Sequence, residues 1–247
     1  MVSFLAVICG LNQQWRENEI MKELFYKPLS FKNIDPKNIF VWSDLHIGHD
    51  KEFLWKPRGF NSVEEHDLAI KQRWQSNLND ESIIFILGDI MFGHNAEQRL
   101  LQFFNDVPFK ICFLMAGNHS AGFKQLIQQS NDDLELWIDP VDETKVVQFI
   151  PNYIEAYIGG LFYVMSHYAI LSANGQGKYN FGGMIHGHSH GNLYKNEYAK
   201  EIYKGKVIDV GVENVPEPLS FDKLKKRFDK QKNVSYDHHN NETMSPV

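Results

Sequence analysis

The chain has 247 residues, is 43% hydrophobic and 13% aromatic, and carries a formal net charge of −6. Such a length suits one large domain or two small ones, and a domain of this size buries roughly 70–75% of its unfolded surface without cross-links. The acidic balance excludes a broad basic coat for nucleic acid and leaves room only for a local positive pocket.

The opening run, MVSFLAVICGLNQQW, lacks the basic flank and small-residue cleavage site of a signal peptide. Its stretch of about ten apolar residues is also shorter than the ~20 that span a bilayer. Cys9 and Cys112 lie far apart, with Cys112 inside an apolar run, so no disulfide framework is expected. A soluble, cytoplasmic protein with no membrane association is the expectation. Residues 1–30 form an N-terminal extension in which MKELFYKPLS is a short amphipathic piece ending near Pro28, and residues 31–230 form the domain. Residues 231–247 read as a polar, flexible tail in which His238 and His239 are solvated.

Between these ends, short apolar or β-branched runs predict strands at NIFVW (38–42), SIIFIL (82–87), KICFLM (110–115), LFYVM (161–165), GGMI (182–185) and KVIDV (206–210). A long helix is predicted at SVEEHDLAIKQRWQSNLN, where Ser62 and Glu65 form a capping box and Val63, Ile70, Trp74 and Leu78 share a face. AEQRLLQFF and FKQLIQQ predict shorter helices, and SFDKLKKRF a late one. Strands separated by helices imply an α/β fold with a substantially parallel or mixed central sheet.

Polar donors follow the strands. NIFVW runs into Asp44 and His46, SIIFIL into Gly88-Asp89, KICFLM into Gly117-Asn118-His119, LFYVM into His167, and GGMI into His186, His188 and His190. The carboxyl ends of strands are where α/β sheets bind ligands, so these groups can reach a common point. Loop composition accounts for Asp and Asn after strands but not for the histidines. In IHGHSHG, an extended backbone would turn His186, His188 and His190 to one side, where a metal ion would offset their burial; a loop of solvated histidines would read the same. Asp44, His46, Asp89, Asn118, His167, His188 and His190 are too many donors for one four-coordinate ion and enough for two bridged by a carboxylate. Two divalent cations against two carboxylates and one hydroxide leave a positive site that attracts an anion such as phosphate.

The ordered blocks WSDLHIGH, LGDI, AGNH, SHYAI and HGHSH resemble the calcineurin-like metallophosphoesterase superfamily, whose pattern is Asp-x-His, Gly-Asp, Gly-Asn-His, a lone His and Gly-His-x-His. Within it the chain is most similar to small bacterial and phage phosphoesterases. The resemblance implies an αββα sandwich of two mixed β-sheets flanked by helices. It further implies one ion held by Asp44, His46 and His190, and a second held by Asn118, His167 and His188, with Asp89 bridging. A hydroxide between the ions would attack phosphorus in line, with His119 as proton donor to the leaving oxygen or electrostatic partner of the phosphoryl group. The expected cofactors are two divalent transition-metal ions, manganese first, with iron, zinc, nickel or cobalt also suited to such donors.

Ser120 stands where the family often has an acidic residue that orients this histidine. GDIMFGH lacks the acidic residue and arginine of the phosphoprotein phosphatases, which disfavours that class and the dinucleotide tetraphosphatases that share the motif. The expected substrate is a small phosphodiester or nucleotide, with no stable nucleic-acid complex; a scaffold that keeps the fold but not catalysis is the alternative. His49, near the mouth, fits a contact to the metal ligands or to substrate as readily as solvent exposure, and His94 follows Asp89 closely enough to face the site. His186 is expected beside the metals without touching them, and His66 partly buried on its helix. Arg58 has the planar fork to clamp phosphate, although a surface salt bridge is the default expectation.

Overall fold

The computed structural model describes residues 27–119, 122–138 and 143–234. The apolar N-terminal run, Ser120, His238 and His239 lie outside the described residues. In chain order the elements are β1 (Leu29–Phe31), β2 (Ile39–Trp42), α1 (Glu52–Trp55), α2 (Val63–Asn77), β3 (Ile83–Ile86), α3 (Ala96–Asp106), β4 (Ile111–Met115), α4 (Phe123–Gln129), β5 (Glu135–Trp137), β6 (Val146–Ile150), β7 (Tyr153–Ile158), β8 (Leu161–Ser166), β9 (Phe181–His186), α5 (Glu197–Ile202), β10 (Val207–Asp209), β11 (Leu219–Ser220) and α6 (Phe221–Phe228).

Strands β2, β3 and β4 are buried at every position, as apolar runs covered on both faces must be. They pair in parallel, Val41 opposite Phe85 and Phe85 opposite Phe113. With β6 parallel and β5 and β11 antiparallel they form one sheet, ordered β11-β2-β3-β4-β6-β5. The second sheet is ordered β1-β7-β8-β9-β10, with only the β7–β8 pair antiparallel. Both sheets are therefore mixed.

The sheets bury a shared core. Ile39, Val41, Phe85 and Phe113 from the first meet Ile154, Ala156, Tyr163 and Ile185 from the second, and Leu224 and Phe228 of α6 close one end. The opposite face of the first sheet is covered by α2, α3 and α4 through Ile70, Trp74, Leu100, Phe104 and Leu126. Phe162, Val164, Phe181 and Met184 form a smaller cluster on the outer face of the second sheet, with Ala173 and Tyr194. The result is an α/β architecture of two mixed sheets packed face to face and flanked by helices.

All six sequence-predicted strands and all four predicted helices occur. Ser62 caps α2, its Oγ accepting from the Glu65 N–H at 3.2 Å, but the Glu65 carboxylate reaches one residue further back, to the Asn61 N–H at 2.8 Å. His66, fully buried, takes a place on the inward face with Ile70 and Trp74, whereas Val63 is half-buried. Strands β1, β5, β6, β7 and β11 are additional. Leu29 and Ser30 pair with Ala156 and Tyr157, so the sheet begins inside the stretch read as an extension. No helix among the described residues is long and apolar enough to cross a membrane.

Candidate metal centre

Strands β2, β3 and β4 run parallel, as do β8, β9 and β10, so six carboxyl ends deliver their loops to one edge of the sandwich. The loops turn sharply there. Asp44, His46, Asp89, His188 and His190 have φ values of 57°, 51°, 51°, 66° and 48°, and they are five of the eight non-glycine residues with positive φ among the described residues. Left-handed backbone is costly for these residue types, so strain concentrates where the donors gather. It also overturns the extended reading of IHGHSHG. His186 ends β9, and the left-handed turns at His188 and His190 send the three rings different ways.

Two donor groups result. Asp44, His46 and His190 offer one ligand atom each, all within 4.8 Å of one another, and Asp89, His167 and His188 do the same. The groups adjoin: His46 Nε2 is 3.8 Å from Asp89 Oδ2 and His167 Nε2 is 3.7 Å from that oxygen. Asn118 Oδ1 lies 2.8 Å from both His167 Nε2 and His188 Nδ1. All seven residues predicted to be ligands thus come together.

Several polar atoms of this cluster have no partner among the described residues. Asp44 Oδ1 and both ring nitrogens of His46 are buried without a hydrogen bond, a state that costs free energy unless something else binds them. His167 is more telling. Its Nδ1–H donates to the Leu87 carbonyl at 2.7 Å, so the neutral ring points a lone pair from Nε2 at Asn118 Oδ1, another acceptor, 2.8 Å away. Burial pushes the pKa of His167 down, which opposes relief by protonation. Burial likewise drives His46 far below the ordinary imidazole range and lifts the Asp44 carboxyl well above the usual carboxylate range. A buried carboxylate, imidazole lone pairs and an amide oxygen aimed at common points fit divalent transition ions.

Residues outside the ligand set hold these donors. Asp209, at the end of β10, accepts from Ser189 Oγ at 2.5 Å and from the N–H groups of Gly191 and Gly211 at 3.0 and 2.8 Å, fixing the histidine loop. Asp44 Oδ2 accepts from the His188 N–H at 2.8 Å. Glu213, which sequence reading missed, accepts from His190 Nδ1 at 2.7 Å. Its signal was the one that marked the candidate donors, because β10 is a further parallel strand whose carboxyl end leads into Gly-Val-Glu. Arg58 is not a surface group: its side chain is 2% exposed, and its fork spans Glu213, the carbonyls of Asp44 and Leu45, and His66. His66 is fully buried between Arg58 and Asp67.

The remaining histidines separate clearly. His186 is committed at both nitrogens, Nδ1 to the Gly187 carbonyl and Nε2 to the Tyr194 hydroxyl, each at 2.9 Å. His49 is buried, its ring 4.4 Å from Phe92 and 5.7 Å from His46 by centroids, with Nδ1 accepting from the Lys51 N–H. Solvent exposure of His49 is thereby overturned. His94 is exposed. His119 is exposed at the mouth, its ring 5.6 Å from His46 and 5.5 Å from Phe92, and its N–H donates to Asp89 Oδ1 at 2.7 Å. Gly117, at φ 74°, packs so closely on Asp89 that a Cβ there would lie 2.2 Å from Oδ1.

No family model matches the chain. It is 24% identical over 199 residues, 80% of its length and 95% of the relative's, to the uncharacterized protein MJ1445 of Methanocaldococcus jannaschii. It is 36% identical over 86 residues to the Gene 66 protein of Mycobacterium phage L5, covering 34% of this chain and 40% of that one. Among solved structures it is similar to a protein of unknown function from Aquifex aeolicus, AQ665, with a TM-score of 0.52, 21% identity, and coverage of 76% of this chain and 98% of that one. That likeness extends to the fold alone.

Proposed function

We propose that the protein is a dinuclear metal-dependent phosphoester hydrolase with the metallophosphoesterase type of αββα sandwich, acting on a small phosphodiester or nucleotide. The observation that carries this reading is the pair of adjoining donor groups, Asp44/His46/His190 and Asp89/His167/His188, with Asn118 Oδ1 facing the His167 Nε2 lone pair and with buried Asp44 and His46 atoms that no group among the described residues pairs. Asp89 lies between the groups, with one oxygen near both His46 and His167, and is the bridging candidate. Two divalent ions bound there, manganese foremost, would lower the pKa of water and withdraw charge from phosphoryl oxygens.

The chain's own residues would do the rest. Left-handed backbone at five of them pre-sets the donor directions, so little reorganisation is required on binding. His119, exposed beside the first donor group and anchored through its N–H to Asp89, is suited to give a proton to the leaving oxygen. The test pairs Mn²⁺ titration with turnover of bis(p-nitrophenyl) phosphate for the wild type and Asp89→Asn. Two ions bound and metal-dependent turnover are expected. The variant should lose at least ~10²-fold in activity, since it touches both ions. Unchanged turnover in Asp89→Asn refutes the two-ion assignment, and tight binding of two ions without turnover of any phosphoester favours a scaffold.

A further inference from the structure

We infer that Glu213, clamped by the buried Arg58, is a positioning residue that fixes the tautomer and direction of His190, presenting Nε2 to Asp44 and His46. The inference rests on the dinuclear reading and adds two residues to it, neither of them in either donor group. A carboxylate can only accept, so at 2.7 Å from Glu213 Oε1 the His190 Nδ1 must be the donor. The lone pair of the neutral ring is then on Nε2. Without Glu213 the two neutral tautomers of an imidazole are nearly equivalent, and one of them puts a proton in the ligand position.

Arg58 makes this arrangement rigid. Glu213 Oε1 receives Arg58 Nε at 2.9 Å and Nη2 at 2.7 Å together with the His190 bond, so one oxygen carries three contacts. The other face of the fork binds the carbonyls of Asp44 at 2.8 Å and Leu45 at 3.1 Å. One guanidinium therefore ties the loop after β2 to the loop after β10, and through Glu213 to the histidine loop after β9. Lysine, a single point charge on a flexible stem, cannot make these bonds together. The side chain is 2% exposed, and Glu213 is the carboxylate in contact with it, so the pair is expected to hold as a unit.

The test uses the full chain, with Mn²⁺ titration calorimetry and the imidazole nitrogen spectrum of the metal-free protein. Wild type should show His190 carrying its proton on Nδ1; Glu213→Ala should show a mixture of the two neutral tautomers and bind one of two Mn²⁺ ions ~10–100-fold more weakly, the size typical of lost partners to a ligand histidine. Glu213→Gln keeps an oxygen that accepts from Nδ1 and should fall between the two, which separates positioning from misfolding. Persistence of the Nδ1–H tautomer alone in Glu213→Ala, or equal weakening of both ions, overturns the inference. A wild type that binds no Mn²⁺ while His190 still changes tautomer in the variant overturns the dinuclear reading and leaves the positioning of the ring standing.

Discussion

Replacing Gly117 by alanine gives the sharpest physical test of how the centre is built. A Cβ at this position would sit 2.2 Å from Asp89 Oδ1 and 2.6 Å from the Asp89 backbone nitrogen, both well inside ordinary contact, which begins near 3.4 Å. The backbone atom cannot swing away, so Asp89 and the loop that carries it must shift. Overpacking of this kind costs ~1–3 kcal/mol, and holding alanine in left-handed backbone adds ~1–2 kcal/mol. Gly59 supplies the control. It has φ 87° and no atom within 4 Å of an added Cβ, so Gly59→Ala bears the conformational cost alone. Urea unfolding of the metal-free chains should place Gly117→Ala ~1–3 kcal/mol below Gly59→Ala in stability. If Asp89 bridges two ions as proposed, its displacement by about 1 Å should also cost ~10²-fold in turnover and weaken both ions. Equal stability of the two variants, with two ions bound at wild-type affinity in Gly117→Ala, would refute the idea that the glycine exists to admit Asp89.

His119→Ala should retain both ions and slow esters with poor leaving groups ~10²-fold or more, with a smaller effect on p-nitrophenyl esters; equal slowing across a leaving-group series argues against proton donation. Phe85 is fully buried between the sheets, stacked on Phe113 at 4.7 Å. Phe85→Ala should lower unfolding free energy by ~3–5 kcal/mol in urea denaturation, and a loss under ~1 kcal/mol would mean that the inter-sheet core collapses to fill the space.

The donor-bearing strands were legible because each is an apolar run long enough to stand out and ends in residues that loop composition does not explain. Strands β1 and β11 have three and two residues and carry no period of their own; their pairing with β7 and β2 defines them. In β6, Gln148 interrupts the apolar pattern yet is buried, because its Nε2 donates to the Asp133 carbonyl at 2.9 Å. Such a partner is invisible until the chain has folded. The same holds for Arg58, whose polarity suggested the surface, whereas Glu213, which helps to satisfy it, comes from a distant segment. Sequence reading singled out the seven candidate donors, which the fold brings together, through their order along the chain. It misjudged the direction of the His186–His190 loop because positive φ at histidine is rare, and only the surrounding contacts impose it.

Each donor group draws on both layers of the sandwich. Asp44 and His46 follow β2 and Asp89 follows β3 in one sheet; His167, His188 and His190 follow β8 and β9 in the other. Sliding one layer over the other by a small distance would shear both constellations at once. An occupant gripping either set would act as a rivet through the seam, so resistance of the two layers to slippage and grip on the occupant are two readings of a single mechanical coupling.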